Sequence, residues 1–114
     1  MRNPGYSRLI YMLRDFISHT EESISISINE KDLAYNDEIL TEFDSILEEF
    51  HPKTVILDLI YVHRMPSSAI GGLVNIHRYI TEEKLLKLEI VNMNPAILKI
   101  LKSVKVDGVL GIGN

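Results

Sequence analysis

The chain has 114 residues and a mass of 13.0 kDa, the size of one domain built on one hydrophobic core and too short for two. Its 46% hydrophobic and 25% charged residues are those of a globular domain rather than a disordered or fibrous chain. The absence of cysteine excludes a disulfide framework, a thiolate metal site and a cysteine nucleophile. A net charge of −4 argues against non-specific nucleic-acid binding, which needs a clustered basic footprint to displace counterions from phosphate.

The charge is unevenly spread. Residues 1–50 carry eleven acids and four bases, whereas residues 51–114 carry five acids and eight bases, so the two halves are expected to present surfaces of opposite sign. No run of eighteen apolar residues occurs, and Met1 to Gly5 lack the basic-then-apolar order of a secretion signal. The expected compartment is the cytoplasm, without membrane insertion.

Along the chain, Leu9, Met12, Leu13, Phe16 and Ile17 have the spacing of one helical face, with Ser7 available as a cap. The same stretch also suits a first strand, in which case His19 to Glu22 becomes a hairpin connection. Ser23-Ile24-Ser25-Ile26-Ser27-Ile28 alternates strictly and predicts a strand buried on one face. A helix follows, capped by Asn36 or Asp37, because Ile39, Leu40, Phe43, Ile46, Leu47 and Phe50 recur every three or four residues. Its opposite face holds Glu38, Glu42, Asp44, Glu48 and Glu49, read either as a solvated surface or as an acidic docking face. Pro52 ends this helix. The nearly continuous apolar run Thr54 to Ile60 then predicts a central strand covered on both faces.

A loop over Tyr61 to Pro66 leads into a helix marked by Ile70, Leu73, Val74, His77 and Ile80. Leu88 to Val91 predicts another strand. Asn94 and Pro95 form an N-cap and first-position proline for a helix with Ile97, Leu98, Leu101 and Val104 on its apolar side and Lys99, Lys102 and Lys105 toward its end. Val109 to Ile112 suits a final edge strand. Alternation of strands and helices implies an α/β fold with a mostly parallel mixed sheet of four or five strands and helical crossovers.

Few residues suggest chemistry. Asp58, His63 and Ser67 name the members of a hydrolase triad, but Ser67 lacks the flanking glycines of a nucleophile elbow, so no catalytic residue is expected. His19, His51, His63 and His77 fall on four segments without the i, i+4 spacing of a zinc helix, and no metal or cofactor is expected. For His77, on an apolar face, a hydrogen-bonded and partly buried imidazole is the ordinary explanation. Gly71 and Gly72 lie inside a helix, where each costs about 1 kcal/mol relative to alanine; close approach of another backbone, the domain's own sheet or a partner, explains them. Ser67 and Ser68 sit at a helix N-terminus, where one caps the helix or carries a phosphate that adds charge to a surface.

The stretch Thr54 to Leu59, followed six positions after Leu59 by Met65-Pro66-Ser67-Ser68-Ala69-Ile70-Gly71, then Leu88 to Val91 and Asn94 to Leu101, resembles the STAS domain (sulfate transporter and anti-sigma factor antagonist). The resemblance covers about residues 23–112, with residues 1–22 left as an N-terminal helix or first strand of a single STAS-like domain over 1–114. It is closest to stand-alone bacterial anti-sigma factor antagonists, whose loop reads Met-Asp-Ser-Ser/Thr-Gly-Leu-Gly. Pro66 stands where that pattern has aspartate and Ala69 where it has glycine, while Gly71 matches.

The resemblance implies a non-enzymatic regulator. By the same resemblance, a serine kinase that is also the binding partner, or anti-sigma factor, is expected to phosphorylate Ser67, with Ser68 as second choice, and a PP2C-type phosphatase is expected to reset the switch. Met65, Pro66, Ser67, Ser68, Ala69, Ile70, Gly71 and Gly72 are the implied partner-binding residues. The alternative is a constitutive subunit docked on the ATPase of a lipid-transport complex without phosphorylation, which Pro66 favours if it removes kinase recognition.

Overall fold

The computed structural model describes residues 17–34 and 36–111. A four-stranded sheet runs in the order β1 (Ile17–His19), β2 (Ser23–Asn29), β3 (Thr54–Tyr61), β4 (Lys87–Val91). β1 pairs antiparallel with β2, and β2, β3 and β4 pair in parallel, as the mostly parallel mixed sheet requires. For Ile17 the choice between helix and strand resolves as strand; the rest of the Ser7–Phe16 stretch lies outside the described residues. The hairpin closes at Thr20, whose N–H donates to the Ser23 carbonyl at 2.9 Å and whose Oγ1 accepts from the Ser23 N–H at 3.1 Å.

In β2 the alternation places Ile24, Ile26 and Ile28 in the core and the serines on the other face. The register Ile24↔Val55 and Ile26↔Leu57 brings Val55, Leu57 and Leu59 to the same side, and Leu88 and Ile90 of β4 join them. The opposite face of β3 is not covered in the same way: Thr54, Ile56 and Asp58 are only half-buried and Ile60 is 53% exposed. This corrects the expectation of a strand buried on both faces. Strands β2, β3 and β4 are added in one direction without reversal, so crossovers of one hand place their helices on one face only.

The first crossover contains a helix that periodicity does not reveal, α1 (Glu30–Ala34), before α2 (Asn36–Phe50). Five residues are too few to show a helical repeat, but a reciprocal cap defines the start of α1. Asn29 Oδ1 accepts from the Asp32 N–H, and Asp32 Oδ2 accepts from the Asn29 N–H, each at 3.0 Å. On α2, Ile39, Phe43, Ile46 and Leu47 face the core. Its acidic side is not uniformly solvated: Glu42 is buried at 2% exposure, and Asp44 is bound by Tyr79 and Lys84.

The second crossover is α3 (Ser67–Arg78), continued by a π-helical turn over Tyr79–Glu83. After β4, α4 (Pro95–Ser103) starts as expected, Asn94 Oδ1 accepting from the Ala96 N–H at 2.8 Å. It ends in a Schellman turn: Lys105, at φ 64°, donates its N–H to Lys102, and Val106 donates to Leu101. That turn directs the chain into a short helix, α5 (Asp107–Leu110), instead of the final edge strand. Helical geometry buries Leu110 while leaving Val109 exposed, and Gly111, at φ 68°, terminates it; residue 112 lies outside the described residues.

Candidate functional site

The loop between β3 and α3 begins with an irregularity. Ser27 pairs with Asp58 but Asn29 pairs with Tyr61, so β3 advances one residue more than β2, which is the geometry of a bulge. The alternation fails there, leaving both Ile60 and Tyr61 exposed. Asp58 compensates: its Oδ1 accepts from the Ile60 N–H at 3.0 Å and from Asn92 Nδ2 at 3.0 Å. One carboxylate oxygen thereby holds the bulge and fastens it to the residue that follows β4.

From below, Glu30 holds the same loop. Its Oε1 accepts from the backbone N–H groups of both His63 and Arg64, each at 3.0 Å. Hydrogen bonding to the charged form, from the His63 amide above all, keeps the Glu30 carboxyl below the usual carboxylate range. Met65 is buried beneath the loop. Glu30, Asp58 and Asn92 are the functional-site residues that sequence reasoning missed as a group, because their partners are backbone amides or side chains about 34 positions away; Asn29-x-x-Asp32 as a capping pattern was the local signal for α1.

Pro66, not a serine, is the N-cap of α3. Its φ of −66° and ψ of 166° are extended, and its carbonyl accepts from Ala69 at 2.9 Å and Ile70 at 3.0 Å. The expectation that a serine side chain caps the helix is therefore overturned: no side chain caps it, and Ser67 is the first helical residue. Pro66, Ser67, Ser68 and Gly71 are exposed, Ile70 is half-buried, and Met65, Ala69 and Gly72 are buried. The eight candidate residues therefore divide into an outward strip and the buried seam that supports it.

The two glycines belong to different sides of that division. A Cβ on Gly71 meets nothing within 4 Å, whereas one on Gly72 would lie 1.9 Å from the Leu33 carbonyl oxygen. The backbone approaching Gly72 is thus α1 and not the sheet, as own-sheet packing had required. Among the described residues no hydrogen bond joins Asp58, His63 and Ser67, and Asp58 is committed to Ile60 and Asn92. His77 is half-buried. No group of three or more His, Cys, Asp or Glu side chains suited to a metal occurs among the described residues, and no helix among them is long and apolar enough to cross a membrane.

The site is an exposed serine pair on the first turn of a helix, presented by a loop braced from two sides. Comparison with solved structures finds this fold in the anti-sigma factor antagonist SpoIIAA in its unphosphorylated form, with a TM-score of 0.55 and 20% identity over 86% of this chain and 97% of that one. No curated protein matches. The model of the STAS domain family matches residues 16–114, and the chain belongs to that family.

Proposed function

We propose that residues 1–114 act as one regulatory STAS domain of the anti-sigma factor antagonist type, without catalytic activity of their own. The exposed strip of Met65 to Gly72 binds a serine kinase that is also an anti-sigma factor, and phosphorylation of Ser67 by that kinase ends the complex. A PP2C-type phosphatase restores it, and the cycle runs in the cytoplasm. The observation that carries this reading is the setting of Ser67: its side chain is exposed and uncommitted at the start of α3, on a loop already fixed by Glu30 and Asp58. A phosphate there adds about −1.5 to −2 charge at pH 7. The positive end of the helix tolerates it, so the domain stays folded while the docking strip, which has no charged residue over Met65 to Gly72, becomes negative. The likeness to the unphosphorylated anti-sigma factor antagonist supports the same reading.

The test is incubation with ATP and a serine kinase of the anti-sigma factor type, followed by mass spectrometry of the 65–72 region. Phosphate on Ser67, lost in Ser67→Ala, is the expected result. Modification unchanged in Ser67→Ala and Ser68→Ala overturns the assignment.

Pro66 favours a second reading. It occupies the N-cap without a side-chain acceptor, where the family pattern has an aspartate, and a kinase that reads the aspartate would pass this loop by. The same strip then serves a constitutive subunit docked on the ATPase of a transport complex. Stable co-purification with such an ATPase, unchanged by Ser67→Glu, identifies this case.

A further inference from the structure

The acidic first half and the basic second half of the chain fold onto different helices. On α2, Asp37, Glu38 and Glu48 are exposed and have no ion-pair partner among the described residues, while Asp44 between them is occupied by Lys84 at 2.9 Å. On α4 and the turn after it, Lys99, Lys102 and Lys105 are exposed and likewise unpaired. Beside these lysines, Ile100 and Val104 lie one above the other at i, i+4 with 39% and 49% of their surface open, and Val109 of α5 is 58% open. In the helical layer α2 packs on α3, α3 on α5, and α5 on α4. The two charged faces thus belong to separate parts of the layer, and no ion pair joins them within the chain.

We propose that these faces are the two halves of a self-association surface: the lysine-flanked apolar stripe of α4 on one copy receives the acidic face of α2 on a second copy. Both halves are present on every chain, so a two-fold pair makes the contact twice. Glu48 gives the contact a specific reason. It lies in the last turn of α2, which has no basic residue of its own and where the helix dipole disfavours a carboxylate; the Lys84 ammonium that attracts Glu48 is already bound to Asp44, and a lysine supplied by another copy adds to that attraction. The contact depends on charge and is weakened by salt, since screening shortens from about 10 Å at 0.1 M to about 3 Å at 1 M. It uses no residue of the Ser67 loop, so its failure and the failure of the proposed switch are separate results.

The experiment is sedimentation equilibrium of the full chain at low and high salt, with two charge-reversed variants. One carries Lys99→Glu, Lys102→Glu and Lys105→Glu; the other carries Asp37→Lys, Glu38→Lys and Glu48→Lys. Wild type is expected to associate at low salt and to lose at least tenfold in association constant at high salt. Each variant alone is expected to lose association by a similar factor, and an equimolar mixture to recover it, because each supplies the face that complements the other's. Urea midpoints establish that the variants fold. The neutral set Lys99→Gln, Lys102→Gln and Lys105→Gln, expected to weaken association, replaces any that does not. A wild type that stays monomeric at low salt, association unchanged in the folded variants, or a mixture that fails to recover it overturns the proposal. So does a monomeric wild type that instead binds vesicles of anionic phospholipid through the same lysines.

Discussion

Gly72 and Leu33 meet backbone to backbone: the position of a side-chain carbon on the glycine lies 1.9 Å from the leucine carbonyl oxygen. This contact seats α1 against α3 immediately below the serine pair, and neither partner can give way without moving a helix. Gly72→Ala is expected to destabilise the fold by about 1–3 kcal/mol or more, the range for overpacking a well-filled core. Gly71→Ala, with open space around it, is expected to stabilise by up to about 1 kcal/mol through helix propensity. Urea midpoints of the two variants, measured side by side, check the opposite signs.

Glu30 braces the loop through two amides, and removing it frees both. Glu30→Ala is expected to cost about 1 kcal/mol and to accelerate hydrogen exchange at His63 and Arg64 while leaving the β2–β3 amides protected.

The same carboxylate gives a pH signature. Its folded pKa is held below the unfolded value, so its stabilising effect is present above the ordinary glutamate value of about 4.3 and is lost as the pH falls through the lower folded value. The urea midpoint of wild type is expected to drop more steeply than that of Glu30→Ala between about pH 5 and pH 3. Asp32, whose pKa is raised by burial, acts in the opposite sense but equally in both proteins.

Tyr79 donates its hydroxyl to Asp44, which also pairs with Lys84 at 2.9 Å. Burial first, and then the Asp44 carboxylate, push the Tyr79 phenol well above its usual range, and the Tyr79 hydroxyl holds Asp44 low. Tyr79 is therefore expected to escape ionisation when an ordinary phenol titrates near pH 10. An ultraviolet titration of Tyr79→Phe should lack that resistant group, and the variant should lose about 1 kcal/mol of stability.

The two ends of α4 predict effects of opposite sign. Asn94→Ala removes the side-chain acceptor for Ala96 and is expected to cost about 1 kcal/mol. Lys105→Gly relieves a left-handed residue at φ 64° and is expected to gain about 0.5–1 kcal/mol, part of the roughly 1–2 kcal/mol penalty of that conformation. Thermal unfolding of both variants is the measurement.

Local patterns determined much of this molecule. The Ser-Ile alternation specified which face of β2 is buried, the three-to-four spacing placed α2 and α3, and Asn94-Pro95 marked the start of α4, because each signal is carried by neighbours in the chain. Val109 to Ile112 misled for the converse reason. Its β-branched residues favour extension locally, but the Schellman turn at Lys105 and the burial of Leu110 impose a helix. The loop pattern around Ser67 likewise pointed to the family, which matches residues 16–114.

What only the tertiary structure decided is how that loop is held and which surfaces remain open. Glu30 reaches His63 and Arg64, Asp58 reaches Asn92, and Leu33 explains Gly72. Each is a contact between segments some 33 to 39 positions apart, set by strand order and register rather than by any local period. The one-sided burial of β3 has the same origin: the apolar run fits a strand covered on either one face or two, and the side on which the crossovers pack is a property of the whole sheet.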